Sequence, residues 1–351
     1  MSNILSLFVM AKNESRCIKR CLDSVSPFVD EVVVLDTGST DDTVEIARGC
    51  GARIEFSAWE DDFARSRNYG MEKIKTPWVL MLDADEWMIS GGAALNNFRK
   101  NPPNLDKVFE CAMHMRPYEQ TNALAINVIG TFFAARCFPS NLRFLGRIHE
   151  RIVHKLPTER LNILLGHDGY EAEQAKKKVN RNYPLLRKTL EERPDDAIIH
   201  YYLAKELQST EVNGGLSGEV IDEIDTLYRR ALALTSEHCP SRELIVREFL
   251  LFLRSRQQID AGIRLVFVEL ERNLLSRELC YITAIFLYEA VLNRVDIDSK
   301  LLIGAADGMF VRVKNTVDKP STYFPYEIDL KLLAALRSKA LDKLKGVYDD
   351  R

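Results

Sequence analysis

The stretch Trp78-Val-Leu-Met-Leu-Asp-Ala-Asp-Glu86 joins five apolar residues to an acidic tetrapeptide. The apolar run predicts a buried strand, and the acidic residues follow where that strand would reach solvent. Residues i and i+2 of an extended chain point to the same side, so Asp83 and Asp85 can converge on one ligand while Ala84 leaves room for it. Paired carboxylates favour a hard divalent cation, Mg2+ or Mn2+. A solvated acidic strand end is the simpler alternative.

Upstream of this stretch, short apolar runs alternate with helical patterns. They predict strands at 4–10, 31–35, 52–56 and 78–82 and helices at 15–25, 40–48 and 63–74. Strands that are apolar throughout and separated by helices indicate a parallel sheet covered on both faces. Ligands bind such sheets beyond the carboxyl ends of the strands, where the polar segments 36–40 and 83–86 both fall.

The pattern changes twice farther along the chain. Residues 108–115 and 131–138 predict two more strands, and the Gly/Pro spacing of residues 91–170 indicates loops around an acceptor cleft. From about residue 171 helical periodicity dominates, at 176–190, 195–208, 219–234, 241–256, 260–275, 279–293 and 299–314. Parts of 202–231 resemble a tetratricopeptide helix pair, which predicts an array of helical hairpins with a frayed tail from Asp342. We therefore predict an α/β domain at 1–175 and an all-α domain at 176–345.

Length, charge and cysteine content limit the classes of protein to be considered. A chain of 351 residues is longer than a single hydrophobic core usually accommodates, which indicates two domains. A net charge of −3 makes nucleic acid an improbable partner in bulk, although local basic patches are compatible with it. Seven irregularly spaced cysteines indicate reduced thiols, hence a cytoplasmic protein. No window is long and apolar enough for a membrane span, which leaves peripheral membrane association; homodimerisation is a further possibility.

Four motifs together resemble the nucleotide-sugar domain of family 2 glycosyltransferases. They are Ala11-Lys-Asn-Glu14, Asp36-Thr-Gly-Ser-Thr-Asp-Asp-Thr43, Asp62-Phe63 with Arg67-Asn68, and Asp83-Ala-Asp-Glu86. Phe144-Leu-Gly-Arg-Ile-His-Glu150 and His167-Asp-Gly-Tyr170 extend the resemblance, which covers roughly residues 3–185. It implies the Rossmann-like GT-A fold, inversion at the anomeric carbon, and a helical extension after the transferase domain.

The resemblance also implies binding roles. It assigns the nucleotide sugar to Ala11, Asn13, Glu14, Asp36, Gly38, Ser39, Arg67, Asp83 and Ala84. Asp36 would accept the N3–H of uracil, and Arg67 would hold the diphosphate through paired charge-assisted bonds. Helix capping by Asn13 and Glu14, a plain strand-to-helix turn at Asp36, and a solvated helix face at Arg67 are the alternatives. Lys176-Lys-Lys178 and Arg181 are predicted to lie on a solvated helix face, with contact to a phosphate as the alternative.

Metal and proton transfer complete the expected site. Asp85 would bind the metal directly, with His167 and Asp83 as further candidates, Asp168 as a weaker one, and Glu86 orienting the loop. Inversion needs a base opposite the leaving group. Glu150 occupies the matching place, but the usual Glu-Asp ending is absent here, so His149 is the alternative base.

These observations predict a metal-dependent inverting glycosyltransferase that uses a nucleotide-diphosphate sugar, with UDP as the expected nucleotide and Mn2+ or Mg2+ as cofactor. The acceptor is a glycan or lipid-linked saccharide, or a peptide side chain that the helical array would present. The rival from another class is a non-catalytic scaffold with a relic transferase domain that binds peptides through its helices. A sugar-nucleotide pyrophosphorylase would need a glycine-rich loop with a basic residue near the start of the chain, and none is visible.

Overall fold

The computed structural model describes residues 3–115, 131–167, 172–210, 216–237, 239–272, 276–293, 298–315 and 330–349. These residues divide into two compact units, one up to Leu185 and one from Leu186 onward. The division falls within a single helix, Ala172–Glu192.

The first unit is built on ten strands. They are β1 Leu5–Ala11, β2 Glu31–Asp36, β3 Arg53–Phe56, β4 Trp78–Asp83, β5 Glu86–Ser90, β6 Val108–Met115, β7 Thr131–Pro139, β8 Phe144–Leu145, β9 Arg151–Ile152 and β10 Thr158–His167. Its helices are α1 Ile18–Val25, α2 Thr43–Gly49, α3 Phe63–Met71, α4 Gly92–Lys100 and the first part of α5 Ala172–Glu192.

Eight strands form one sheet in the order β3-β2-β1-β4-β7-β6-β10-β5, and β8 pairs with β9 separately. Strands β1 to β4 run parallel, as predicted. Beyond these four strands the sheet is mixed, because β7 runs antiparallel to both β4 and β6, and β5 antiparallel to β10. Short β5 immediately follows the Asp83–Asp85 turn and needs no helical crossover to reach its place.

Both faces of β1, β2 and β4 are buried, which explains their apolar runs, whereas the edge strand β3 is only partly buried. Leu7 and Val9 of β1 join one core with α1, α2 and α4, whereas Phe8 joins a second core with α3. Successive strand residues therefore feed opposite layers. Helix α3 packs closely against β1, since a Cβ on Gly70 would lie 2.4 Å from the Phe8 ring.

All the secondary-structure elements described in the second unit are helices. Its helices are the rest of α5, then α6 Ala197–Ser209, α7 Gly218–Leu234, α8 Pro240–Ser255, α9 Ile259–Glu271, α10 Arg277–Asn293, α11 Ser299–Asn315 and α12 Leu330–Asp349. The predicted frayed tail from Asp342 is wrong, because α12 continues to Asp349. No described helix combines the length and apolarity that crossing a bilayer requires. A Rossmann-like GT-A sheet followed by an all-α region confirms the expected fold class.

Candidate active site

A cavity of about 450 Å³ opens at the carboxyl ends of β1 and β4. The strand register brings these ends together, with Met10 beside Asp83 and Ala11 beside Asp36. Nine of the predicted site residues line the cavity: Ala11, Glu14, Arg67, Asp83, Ala84, Asp85, His149, Glu150 and His167. Asn13, Asp36, Gly38 and Ser39 do not.

Arg67 reaches the cavity because of where it lies on α3. The helix begins after Asp62, whose carboxylate accepts the backbone N–H of Arg65 at 2.8 Å. Ala64, Arg67 and Met71 are buried at i, i+3 and i+7, so this stripe faces the sheet. Arg65 lies outside that stripe and leaves 69% of its side chain exposed.

The Arg67 guanidinium bridges two carboxylates from distant parts of the chain. Its Nη2 atom donates to Oδ1 of Asp83 at 2.7 Å, and its Nε atom donates to Oε1 of Glu150 at 2.5 Å. Burial alone would lower the pKa of Arg67, but Asp83 and Glu150 outweigh burial and raise it above its ordinary value. The bridge therefore holds a cation and two anions in place at the cavity wall.

The residue after Arg67 fixes the segment that carries Glu150. Asn68 donates from Nδ2 to the Phe144 carbonyl at 3.0 Å and accepts the Phe144 N–H at 2.8 Å. The Phe63 N–H also donates to the Arg147 carbonyl at 2.8 Å. Helix α3 thus holds both the backbone and the carboxylate of this segment, a role for Asn68 that the sequence analysis did not anticipate.

Arg136 on β7 is a second cation that the sequence analysis missed. It donates twice to Glu86, at 3.1 and 2.5 Å, and its Nη2 lies 3.5 Å from Oδ2 of Asp83. Burial opposes ionisation of Asp83, yet Arg67 and then Arg136 hold the pKa of that carboxyl well below its usual range. Glu86 in turn accepts the Asp83 backbone N–H at 3.0 Å, which fixes the acidic turn. A charged residue within the apolar run Phe132–Phe138 was the available signal.

Asp85 and His167 meet on the other side of the acidic turn. His167 ends β10, where it pairs with Glu86 of β5, and its Nε2 lies 3.4 Å from Oδ2 of Asp85. Among the described residues, no group of three His, Cys, Asp or Glu side chains is placed to hold a metal ion. The protein contributes a carboxylate oxygen and an imidazole nitrogen there, while Asp83 is held by the two arginines.

His149 precedes Glu150, has a backbone φ of 51° and lines the cavity. Burial against the cavity wall and the nearby charge of Arg181 lower the pKa of His149 to about 4. Because His149 is exposed to solvent, the contribution of burial is weakened, but the positive charge of Arg181 also lowers the pKa. The imidazole is therefore neutral at pH 7.

The loops after β1 and β2 are bonded to each other. The Asn13 N–H donates to Oγ of Ser39 at 2.9 Å, and Oδ1 of Asn13 accepts the Thr40 N–H at 2.7 Å. Gly38 has a φ of 103°, which suits the tight turn expected there. Oδ1 of Asp36 accepts the N–H groups of Gly38 and Ser39 at 3.0 Å, whereas its buried Oδ2 has no hydrogen-bond partner among the described residues.

Aromatic and basic side chains complete the cavity. Trp59 and Phe63 pack edge to face with centroids 4.7 Å apart, and both line it. Arg181 of α5 is exposed, as predicted, but it too borders the cavity, 4.9 Å from the Phe63 ring centroid. The predicted candidate Asp168 lies outside the described residues, as do the side chains of residues 176–178.

Comparison with known proteins finds similarity in the N-terminal part of the chain. Residues 6–142 match the family described as Glycosyl transferase family 2. The prophage-derived glycosyltransferase SunS of Bacillus subtilis is 29% identical over 218 residues, which is 57% of this chain and 48% of that protein. A TPR repeat-containing protein of Synechococcus elongatus is 44% identical over 85 residues, 24% of this chain and 21% of that protein. The chain spans less than half of the length of both relatives.

Among solved structures, glucosyl-3-phosphoglycerate synthase from Mycobacterium tuberculosis, in complex with Mn2+, UDP and glucosyl-3-phosphoglycerate, is 24% identical. The alignment covers 33% of this chain and 45% of that chain with a TM-score of 0.27. At that TM-score the likeness adds nothing to the fold described above.

Proposed function

Because residues 6–142 match the family described as Glycosyl transferase family 2, we propose that the protein is a metal-dependent inverting glycosyltransferase. It moves a sugar from a nucleotide-diphosphate donor, UDP-linked, to an acceptor nucleophile. The observation that carries the proposal is the Arg67 bridge between Asp83 and Glu150, beside the Asp85–His167 pair in one cavity. A relic scaffold would have no need to keep a buried cation between two carboxylates at a ligand cavity.

The nucleoside end of the donor belongs at β1 and β2. Ala11, Glu14 and Thr37 line the cavity there, next to the bonded loops. Oδ2 of Asp36 is buried without a hydrogen-bond partner among the described residues, but Asp36 does not line the cavity. The choice of UDP therefore rests on the family resemblance, in which the residue at the place of Asp36 accepts the N3–H of uracil. Asn13, Gly38 and Ser39 act by shaping the loop rather than by lining the cavity.

The diphosphate and metal belong at Asp85 and His167. A carboxylate oxygen with an imidazole nitrogen suits Mn2+ better than Mg2+, which prefers oxygen ligands throughout. Asp85 and His167 would hold the ion next to the place proposed for the diphosphate. When bound, the metal supplies Lewis-acid stabilisation of the departing diphosphate. Asp83, held by Arg67 and Arg136, faces the donor as a fixed anion.

The acceptor proton goes to Glu150. Its Oε1 is held by Arg67, and its Oε2 makes no hydrogen bond to any described residue, so one oxygen is positioned while the other is available. The attacking oxygen or sulfur loses its proton to Oε2 as it bonds to the anomeric carbon, and the carbon–oxygen bond to the diphosphate breaks. His149, neutral at pH 7, is the other group at the same wall that could accept a proton.

The test is thermal stability of the purified protein with UDP, GDP, CDP and dTDP sugars, each with Mn2+ and with EDTA. A ligand at 100 times its dissociation constant should stabilise the protein by about 2.7 kcal/mol. We expect a Mn2+-dependent shift with the UDP sugar. If no nucleotide shifts the folded protein, the relic-scaffold alternative replaces this proposal. Saccharide and peptide acceptors are then compared in the presence of the donor that binds.

A further inference from the structure

The small β8–β9 ladder has two unlike faces. Phe144 lies opposite Ile152, and Leu145 lies opposite Arg151. Residues opposite one another in an antiparallel pair point to the same side. Phe144 is 2% exposed and packs with Ile152 on the core beneath the sheet. The side chains of Leu145 and Arg151 therefore point away from that core.

The outer face continues one residue farther at the open end of the ladder. The Val153 N–H donates to the Arg143 carbonyl at 3.4 Å, so these two residues are also opposite each other. Leu145 and Val153 are 60% and 53% exposed, and both arginines are exposed. Two aliphatic and two guanidinium groups thus alternate on one solvent-facing surface, which we call the hairpin face (Arg143, Leu145, Arg151 and Val153).

Positive charge predominates in the segment that carries this face, while Asp62 and Glu72 of the neighbouring α3 region line the groove that Leu145 borders. Residues 143–155 contain four arginines and lysines against one acid, Glu150, whereas the whole chain has a net charge of −3. Glu150 is already paired with buried Arg67. Lys155 is exposed beyond the ladder and adds to the same positive surface. A segment with this excess of positive charge complements an anionic surface.

The hairpin face adjoins the candidate active site. The segment between β8 and β9 contains His149 and Glu150, both of which line the cavity. Whatever binds the hairpin face is held within a few residues of the proposed base.

We propose that the hairpin face docks on an anionic membrane surface. Arginine matches phosphate headgroups through bidentate charge-assisted bonds. Leu145 and Val153 would enter the boundary between headgroups and acyl chains, as exposed aliphatic side chains do in interfacial binding. An acidic peptide would satisfy the arginines but gives the two outward aliphatic groups no apolar partner. The proposal is independent of the transferase activity.

The test is co-sedimentation of the full chain with phosphatidylcholine vesicles and with vesicles that also contain phosphatidylglycerol. We expect binding to the anionic vesicles alone, weakened by salt. At about 1 kcal/mol for each basic residue, the double variant Arg143→Gln/Arg151→Gln should bind about 30-fold more weakly. Leu145→Ser/Val153→Ser should also lose binding. Lys100→Gln/Lys339→Gln removes the same charge from exposed helical positions and should bind as the wild type does.

Three results would overturn the proposal. The first is the absence of sedimentation with anionic vesicles. The second is equal loss in the hairpin and control variants, which would indicate a net-charge effect. The third is binding of a polyglutamate peptide without binding of vesicles, which would assign the hairpin face to an acidic protein partner instead.

Discussion

The Nε atom of Arg67 lies 2.5 Å from Oε1 of Glu150, although the two residues are 83 positions apart. The same guanidinium holds Asp83, so one buried cation connects the acidic turn after β4 with the proposed base. Glu150 depends on Arg67 for neutralisation, and Asp83 depends on Arg67 together with Arg136. This dependence can be measured.

Arg67→Met should destabilise the protein by about 3 kcal/mol, the lower end for a broken buried ion pair, because 37% of the Asp83 side chain is exposed. Urea denaturation measures the loss. Arg65→Met on the same helix removes only an exposed pair with Glu60 and should cost no more than about 1 kcal/mol. Equal losses in the two variants would show that the bridge contributes nothing beyond a surface contact.

Arg136→Met should cost about 3–5 kcal/mol, because it leaves Glu86 buried without its partner. Replacing both residues with apolar side chains removes the uncompensated charge, so Arg136→Met/Glu86→Met should be more stable than Arg136→Met. The comparison is a double-mutant cycle by denaturation. Additive losses in the double variant would mean that the two side chains are not energetically coupled.

Much of the fold could be predicted because three of the parallel strands, β1, β2 and β4, are buried on both faces. Observed β1, β2, β3 and β4 begin and end within one residue of the predicted strands. The apolar runs of β1, β2 and β4 account for this agreement, whereas the edge strand β3 contains Arg53 and Glu55. Strands β8 and β9 contain two residues each, which is too short for any periodicity to be seen. The second half of the sheet mixes directions that only tertiary pairing determines.

The site was predictable one motif at a time but not as a network. Carboxylates after β2 and β4 follow from the rule that ligands bind at strand ends. The Arg67–Glu150 and Arg136–Glu86 pairs depend on which strands become neighbours, and no spacing in the sequence encodes that. Asp36 was predicted as a site residue by the same rule. It accepts the N–H of Gly38 in the following turn, however, and does not line the cavity.

The cysteines should react as two classes. Burial raises the pKa of Cys17, Cys21 and Cys137 above the ordinary thiol range and that of Cys111 to about 12. Cys50 and Cys239 are the partly exposed thiols. A thiol reagent should modify at most these two in the native protein and all seven after unfolding. Because thiolate is the reactive form, raising the pH toward about 8.5 should not recruit the buried thiols. Rapid modification of four or more would contradict the described core.

The Mn2+ affinity of variants should distinguish the role of Asp85 from that of Asp83. Loss of a residue that only hydrogen-bonds to a metal ligand weakens metal binding about 10–100-fold. Loss of a direct ligand should cost more, so Asp85→Asn or His167→Gln should weaken Mn2+ binding at least about 100-fold. Asp83→Asn should have a smaller effect, because Arg67 and Arg136 already hold that carboxylate. Electron paramagnetic resonance of free Mn2+ reports the affinity without requiring turnover. If Asp83→Asn is as damaging as Asp85→Asn, Asp83 is a direct ligand.

Release of nucleoside diphosphate from a UDP sugar, with Mn2+ and a panel of acceptors, tests the central claim most directly. Wild-type protein should show turnover that EDTA abolishes. Glu150→Gln should lower kcat about 10²–10⁴-fold, the usual share of a general base, while UDP still shifts its thermal stability. His149→Gln should retain most activity. Turnover by Glu150→Gln equal to that of the wild type, or no metal-dependent turnover with any donor and acceptor, would contradict the proposed transferase site.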